Sequence, residues 1–326
     1  MMKKSAQVLR SVGFFVSVAV CALSTVGAQT FPARPITIVV PFPPGGPTDS
    51  SARLVGKSLG SILKQAVVIE NRPGAGGTTG STYVARGTAD GYTLLWGSTS
   101  SLGVAPTLYP KLGYAPLTSF APLGMVARSP IILAGRGDMA ANTLKEFIAL
   151  SREKKLSYGS AGSGSINHLV GEWFKNEANV DMLHVPYKGG LPALNDLLGG
   201  QIDMVFETIP TVSPFLKSER LKVLATAGRS RSALLPNVPT VREVIGGNFE
   251  AYSWVGLVAP ANTPPETLKI LSDAMRTAEN DPLLQAEIAA TGLEPVKSSP
   301  EKFRQDIESE LAKWTRLVLK VKPTVD

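Results

Sequence analysis

Thiol chemistry is nearly missing from this chain. Among 326 residues there is one cysteine, Cys21, and it lies in an N-terminal stretch that reads as a removable signal. A chain cut after Ala28 has no cysteine, which excludes a disulfide, a thiol nucleophile and a thiolate metal site. Histidine is almost as scarce. Only His168 and His184 occur, without H-E-x-x-H or any other ligand spacing, so no metal and no cofactor are expected. Beyond the N-terminus no apolar run is long enough to span a bilayer. Nor is there a Lys/Arg block with interleaved aromatics. The net charge of +7 comes from scattered residues, and no nucleic-acid partner is expected.

The first 28 residues have the make-up of a secretory signal. Lys3, Lys4 and Arg10 supply the positive region, "VGFFVSVAVCALSTVG" the apolar one, and Val26-Gly27-Ala28 the small-residue cleavage site. Gly13, Ser17 and Ser24 interrupt the apolar run, which is short against the roughly 20 residues of a spanning helix. A lipoprotein signal wants a small residue where Val20 precedes Cys21, so lipidation of Cys21 is the lesser alternative. Export with cleavage near Ala28 is the expectation. Cleavage leaves 30 basic residues against 26 acidic ones, a mildly cationic protein that suits anionic ligands without requiring them.

What is present is a steady alternation of strands and helices, without internal repeats, which predicts an α/β fold with mostly parallel sheets flanked by helices. Strands are predicted at 36–42, 66–71 and 92–98, with helices to about 64 and over 81–86. "FAPLGMVARSPIILAGRG" then leads out of this first unit. A second unit starts near Ile131. It has helices over 143–154, 166–176 and 191–198, a short one near 214–216, and strands at 156–160, 202–207 and 221–227. "MLHVPY" adds another strand. A turn-rich connector follows, then a strand at 252–260 and helices over 264–279, 282–291 and 300–320, each opened by proline. A lone strand with three helices makes a poor third domain. The C-terminal elements are therefore assigned to the first unit, giving lobe 1 as 29–128 and 229–326, lobe 2 as 129–228, and two interlobe crossings around a cleft.

The stretch "VVPFPPGGPTDSSARL" (39–54) joins a strand to a helix through Gly45 and Gly46. Glycine lets a ligand approach the backbone, and the first amides of a helix have no internal partners. Strand, glycine turn and helix N-terminus together form an anion site. Alone, this turn reads as a plain connection capped by Thr48 or Asp49. A second copy, "SYGSAGSGSINHL" (157–169), occurs in the other unit, and ligands of open α/β sheets bind at strand carboxyl ends. The pair is expected to grip a carboxylate. Tyr187, Lys188, Gly189 and Gly190 follow another strand. Asp203 begins the next one, where it either orients a ligand or caps a turn. "RPGAGGTTG" (72–80) lacks dinucleotide-binding spacing and reads as a helix-entry turn shaping the cleft.

Catalytic signatures fail. "GKS" at 56–58 lacks the leading glycine of a phosphate loop and lies inside a helix. Ser163 stands between glycines without a G-x-S-x-G elbow. A Ser163 or Ser165 pairing with His168, as in a serine hydrolase, stays open as an alternative.

In sequence, "PFPPGGPTDSSARL" (41–54), "VIENRPGAGGTTG" (68–80), "DGYTLLWGS" (90–98), "YGSAGSGSINHL" (158–169), "HVPYKGGLPALNDLLGGQIDMVF" (184–206), "LLPNVPTVREV" (234–244) and "WVGLVAPANTP" (254–264) resemble the receptors of tripartite tricarboxylate transporters, the Bug family. The resemblance covers essentially the whole chain after the signal. It implies a periplasmic, two-lobed "Venus flytrap", monomeric and without enzymatic activity. Such a receptor presents a small carboxylate to membrane permease subunits, or alternatively acts as a sensor for a membrane signalling system. Backbone amides, hydroxyls and bridging waters would hold the carboxylate. Carried over, it points to Phe42, Pro44, Gly45, Gly46, Thr48 and Asp49 in one lobe. In the other it points to Ala161, Gly162, Ser163, Gly164, Ser165 and Asn167, with Asp203 nearby. Ser98, Thr99 and Tyr187 join them as cleft residues. One departure stands out: Glu207 occupies the position of the family's usual Asp, so specificity for the ligand's distal end is not implied.

Overall fold

The computed structural model describes residues 31–109 and 111–323. The expected secretory signal, with Cys21 and the cleavage site, lies outside the described residues. Ten strands follow in order: β1 (Ile36–Val40), β2 (Val67–Asn71), β3 (Thr93–Ser98), β4 (Phe120–Arg136), β5 (Leu156–Ser160), β6 (Met182–Pro186), β7 (Met204–Thr208), β8 (Leu221–Thr226), β9 (Tyr252–Pro260) and β10 (Glu294–Pro295). The first-lobe helices before β4 are α1 (Pro47–Leu63), α2 (Thr78–Ala85), α3 (Ala105–Leu108) and α4 (Pro116–Ser119). Then come α5 (Leu144–Glu153), α6 (Ile166–Ala178), α7 (Gly190–Leu198), α8 (Ile209–Val212) and α9 (Val241–Ile245). The last three are α10 (Pro265–Glu279), α11 (Pro282–Ala290) and α12 (Pro300–Val321).

The strand order is β2-β1-β3-β9-β4-β7-β5-β6, with β8 and β10 also on β4. β4 explains the two lobes. Its first part pairs with β9 from Phe120 to Pro130, and its last part pairs with β7 and β8 from Ile131 to Arg136. One 17-residue strand thus belongs to both sheets. The return crossing runs through Ala251 into β9. Ile131, Ala227 and Ala251 close a ring of backbone hydrogen bonds at this seam, 2.6–3.0 Å long. The sheets are mixed rather than mostly parallel. Parallel pairing holds within β2-β1-β3 and β6-β5-β7, whereas every pair containing β4 or β9 is antiparallel. The cause is the crossing itself: β4 carries the chain out and β9 brings it back.

The prolines of β4 make it hard to read as a strand, because proline removes a ladder donor. Register shifts between Pro122 and Gly124 and between Met125 and Ala127 absorb the irregularity. Each sheet buries an apolar face. Val39, Leu95, Phe120, Val258, Phe303 and Ile307 form a first-lobe core. Phe147, Tyr158, Leu169, Phe174 and Phe206 form a second-lobe core, which also receives Trp314 and Leu317 of α12. α12 therefore packs on both lobes. Val241, Phe249 and Ala251 also join the second-lobe core.

Candidate ligand-binding site

Two adjoining cavities open between the lobes and share Phe42, Pro43 and Ala161. The first encloses about 310 Å³ and is built from strand ends. β1 leads through Phe42, Pro44, Gly46 and Thr48 into α1, β3 contributes Ser98, and Ala161 and Asn167 come from the turn after β5 and the start of α6. Among the described residues no Lys, Arg or His lines it. An anion held here must rely on amides and hydroxyls.

The β1–α1 corner is braced from below. Asp49 is buried, and its carboxylate accepts the Gly45 N–H at 3.0 Å, Arg53 at 2.9 and 3.0 Å, and the Asn71 amide at 2.9 Å. Asn71 also donates to the Phe42 carbonyl at 3.0 Å. Burial pushes the Asp49 carboxyl up, but the hydrogen bonds from Arg53, Gly45 and Asn71 outweigh it and leave the group below the usual carboxylate range. Asp49 and Gly45 therefore shape the turn from behind, outside the cavity wall. α1 begins at N-cap Gly46 with proline next, and no side chain caps it. Its first turn opens onto the cavity through Gly46 and Thr48.

The β5–α6 corner is closed on itself. The Gly162 N–H donates to Ser160 Oγ, Gly164 N–H to His168 Nδ1, Ser165 N–H to the Gly162 carbonyl and His168 N–H to Ser165 Oγ. The Ile166 amide donates to Ser100 Oγ of the other lobe at 3.0 Å. Protein atoms thus accept these amides, while Ala161, Ile166 and Asn167 of the same corner line the first cavity. Ser165 is the fully buried N-cap of α6, and Gly164 lies under the Tyr109 ring. Gly162, Ser163 and Tyr187 face the second cavity, of about 590 Å³.

The second open corner is instead β6–α7. Its N-cap Gly189 has φ +134° and α7 has no side-chain cap, a backbone that glycine alone takes without strain. Gly189 stands opposite Pro43: a Cβ on it would lie 3.5 Å from that ring. Two helix N-termini without side-chain caps, one from each lobe, thus border a single cavity, that of α7 beside the Glu207 carboxyl.

Similarity to known proteins agrees with this architecture. The chain matches the Tripartite tricarboxylate transporter family receptor over residues 51–322. It belongs to that family. Among solved structures, the periplasmic binding protein BugD is 35% identical, with TM-score 0.85 over 91% of this chain and 100% of its own. An R. palustris protein with adipate is 32% identical, with TM-score 0.85 over 90% and 98%. MatC from Rhodopseudomonas palustris with bound malate is 32% identical, with TM-score 0.83 over 88% and 100%.

Several expected residues fall elsewhere in this receptor. Thr99 is buried, donating to the Tyr252 carbonyl and accepting the Trp254 N–H at 2.8 Å, which ties β3 to β9. Asp203 precedes β7 and lies at the sheet end opposite the cavity. It accepts both the amide and the hydroxyl of Ser157 at 2.9 Å. Its place before the strand, not after it, keeps it from the carboxyl-end site. The hydrolase constellation does not assemble as expected, since Ser165 serves as helix cap and His168 Nδ1 accepts an amide. A serine–histidine bond does form between Ser160 Oγ and His184 Nε2 at 2.7 Å, but Ser160 is wholly buried. Burial, then the stacked His168 4.0 Å away and Lys175, push His184 down to about 3. No cluster of three or more metal-ligating side chains occurs among the described residues.

The cavity also takes Ser100, Thr208, Thr211, Ser253 and Glu207. Thr208 and Glu207 end β7, so the carboxyl-end rule pointed to them. Ser100, two residues past the end of β3, falls under the same rule, whereas Ser253 had no local signal, because the pairing of β9 brings it in.

Proposed function

We propose that this chain is a periplasmic solute receptor. It captures a small organic carboxylate between its lobes and delivers it to the membrane subunits of a tripartite tricarboxylate-type transporter, acting as a monomer and without catalysis. One observation carries the reading. The uncapped N-terminus of α1 opens, across from that of α7, onto a cavity of about 310 Å³ with no cationic side chain among the described residues. Helix N-termini favour negative charge through oriented N–H groups and the aligned peptide dipoles. In an enclosed space those charge-assisted bonds strengthen, and the hydroxyls of Ser100 and Ser253 add to the donor set. The ligands of two family members, adipate and malate, are both carboxylates. Contacts made to the ligand from both lobes stabilise the closed state over the open one.

Calorimetry and thermal melts of the exported form against mono-, di- and tricarboxylates and aromatic acids test the reading. At least one class is expected to bind and raise the melting temperature, and its affinity to fall in Thr48→Pro, which removes an amide donor at the α1 corner. Binding of neutral solutes with no carboxylate binding would overturn it.

A further inference from the structure

We propose that Glu207 selects, among carboxylates, those that also carry a hydrogen-bond donor, an ammonium or a hydroxyl, on the side of the ligand facing the second lobe. The inference rests on the carboxylate reading above and names the feature that discriminates within that class.

Among the described residues Glu207 is the only ionisable side chain lining the main cavity, and it is 3% exposed. It stands in the wall contributed by β7, pressed against Gly190 at the start of α7, where any Cβ would collide with the carboxyl. One oxygen, Oε2, accepts the Thr208 N–H at 3.1 Å. The other, Oε1, receives no hydrogen bond from any described group. The neighbouring hydroxyls are turned to each other, with Thr208 Oγ1 and Thr211 Oγ1 3.1 Å apart. One N–H of the Asn167 amide donates to the Phe206 carbonyl at 2.6 Å; the other, like the Thr211 hydroxyl, acts on the Glu207 carboxyl from nearby without reaching Oε1 in hydrogen-bond geometry.

A buried carboxyl oxygen without a donor is costly, and proteins seldom retain one without use. Burial has pushed this group up to about 7, against the lowering effect of Thr208, Thr211 and Asn167. A ligand donor removes the deficit directly. An ammonium pairs with the ionised form, which the N-terminal end of α7 also favours, and a hydroxyl donates to either form. A plain acid leaves Oε1 unsatisfied, and one with a second carboxylate sets like charges together.

Matched ligand series test this by calorimetry on the exported receptor: succinate, malate and aspartate; butanoate, 4-hydroxybutanoate and 4-aminobutanoate; benzoate and 4-hydroxybenzoate. In a series that binds, the donor-bearing acid is expected to be about tenfold or more tighter than its donor-free partner. In Glu207→Gln the ammonium advantage should shrink to about threefold or less, because the charge partner is gone. The hydroxyl advantage should persist, because the glutamine carbonyl still accepts. The wild-type ranking needs no variant and so tests the proposal even if Glu207→Gln folds poorly. Equal affinity with and without the donor, or succinate ranking first because a protonated Glu207 donates to a second carboxylate, overturns the proposal while the carboxylate reading stands. Failure of every acid, here and in the broader screen, overturns both.

Discussion

Gly76 of the first lobe packs backbone to backbone on Gly164 of the second. A Cβ placed on Gly76 would sit 3.0 Å from the Gly164 carbonyl carbon and 3.1 Å from its oxygen. Tyr109 adds to the same seam, donating to the Ser163 carbonyl at 3.0 Å. Neither neighbour of Gly76 is a flexible side chain, so a methyl group there forces the loops apart. Gly76 also has φ +62°, which costs an alanine roughly 1–2 kcal/mol. Gly76→Ala should weaken ligand binding by about three- to tenfold and reduce ligand-induced compaction in solution scattering, with the circular dichroism unchanged. Unaltered affinity would separate this contact from closure.

Asp49 should matter for stability ahead of ligand chemistry. Asp49→Ala strands the Gly45 amide and the Asn71 side chain and is expected to cost about 1–3 kcal/mol in denaturant melts. Arg53 is half exposed, so the ion pair contributes only a modest part of that. The Asp49 carboxyl is lowered in the fold. Its contribution is therefore present above the ordinary carboxylate value and lost as pH falls through the folded one. Asp49→Ala should flatten that acid limb.

Glu207 and Glu279 have the opposite sign. Burial raises each from 4.5 to about 7. Between those values the native protein holds protons that the unfolded chain has released, so ligand-free stability falls as pH rises and levels off above about 7. Glu207 contributes on the order of 3 kcal/mol to that fall, and the less enclosed Glu279 a smaller part. Glu207→Gln should raise the melting temperature at pH 8 relative to wild type, with a smaller difference at pH 5. Glu279 contributes to the slope that remains. Identical differences at both pH values would contradict the assignment.

Trp314 fastens α12 to the second lobe. It is wholly buried and meets Trp173 edge-on at 6.2 Å, while Trp173 stacks on Phe249 at 4.2 Å. Trp314→Ala should cost about 3–5 kcal/mol in thermal or denaturant unfolding. The nearby Lys320–Glu177 pair is largely exposed, so Lys320→Ala should be close to neutral. Equal losses in the two variants would overturn this account.

Much of the fold was legible because local chemistry repeats it. Strand 156–160 and strand 252–260 occur at the read boundaries, and the proline-opened C-terminal helices start within a residue of expectation. β4 was not legible as one strand. Pro122, Pro130 and its glycines imitate a linker, and only pairing with β9, β7 and β8 holds it extended. Phe42, Pro44, Gly46, Thr48, Ser98, Ala161 and Asn167 do line one cavity. The second glycine corner contributes Ala161 and Asn167 to that cavity, while Ser160 Oγ, His168 Nδ1, Ser100 Oγ and Ser165 Oγ accept, in turn, the Gly162, Gly164, Ile166 and His168 amides. That depends on side chains far away in sequence or on the rotamer of a histidine, neither of which a local motif encodes.

By itself the sequence determined the alternation of strands and helices, the glycine turns at strand ends and the shortage of thiol and histidine chemistry. These follow from spacing, backbone freedom and residue type, which act over a few neighbours. Tertiary structure decided which helix N-termini stay open, that α7 faces α1 across the cavity, and that Glu207 is left with an unmatched oxygen among neutral groups. Those are properties of hydrogen-bond accounts settled between distant segments, and they exist only once β4 and β9 have brought the two lobes together.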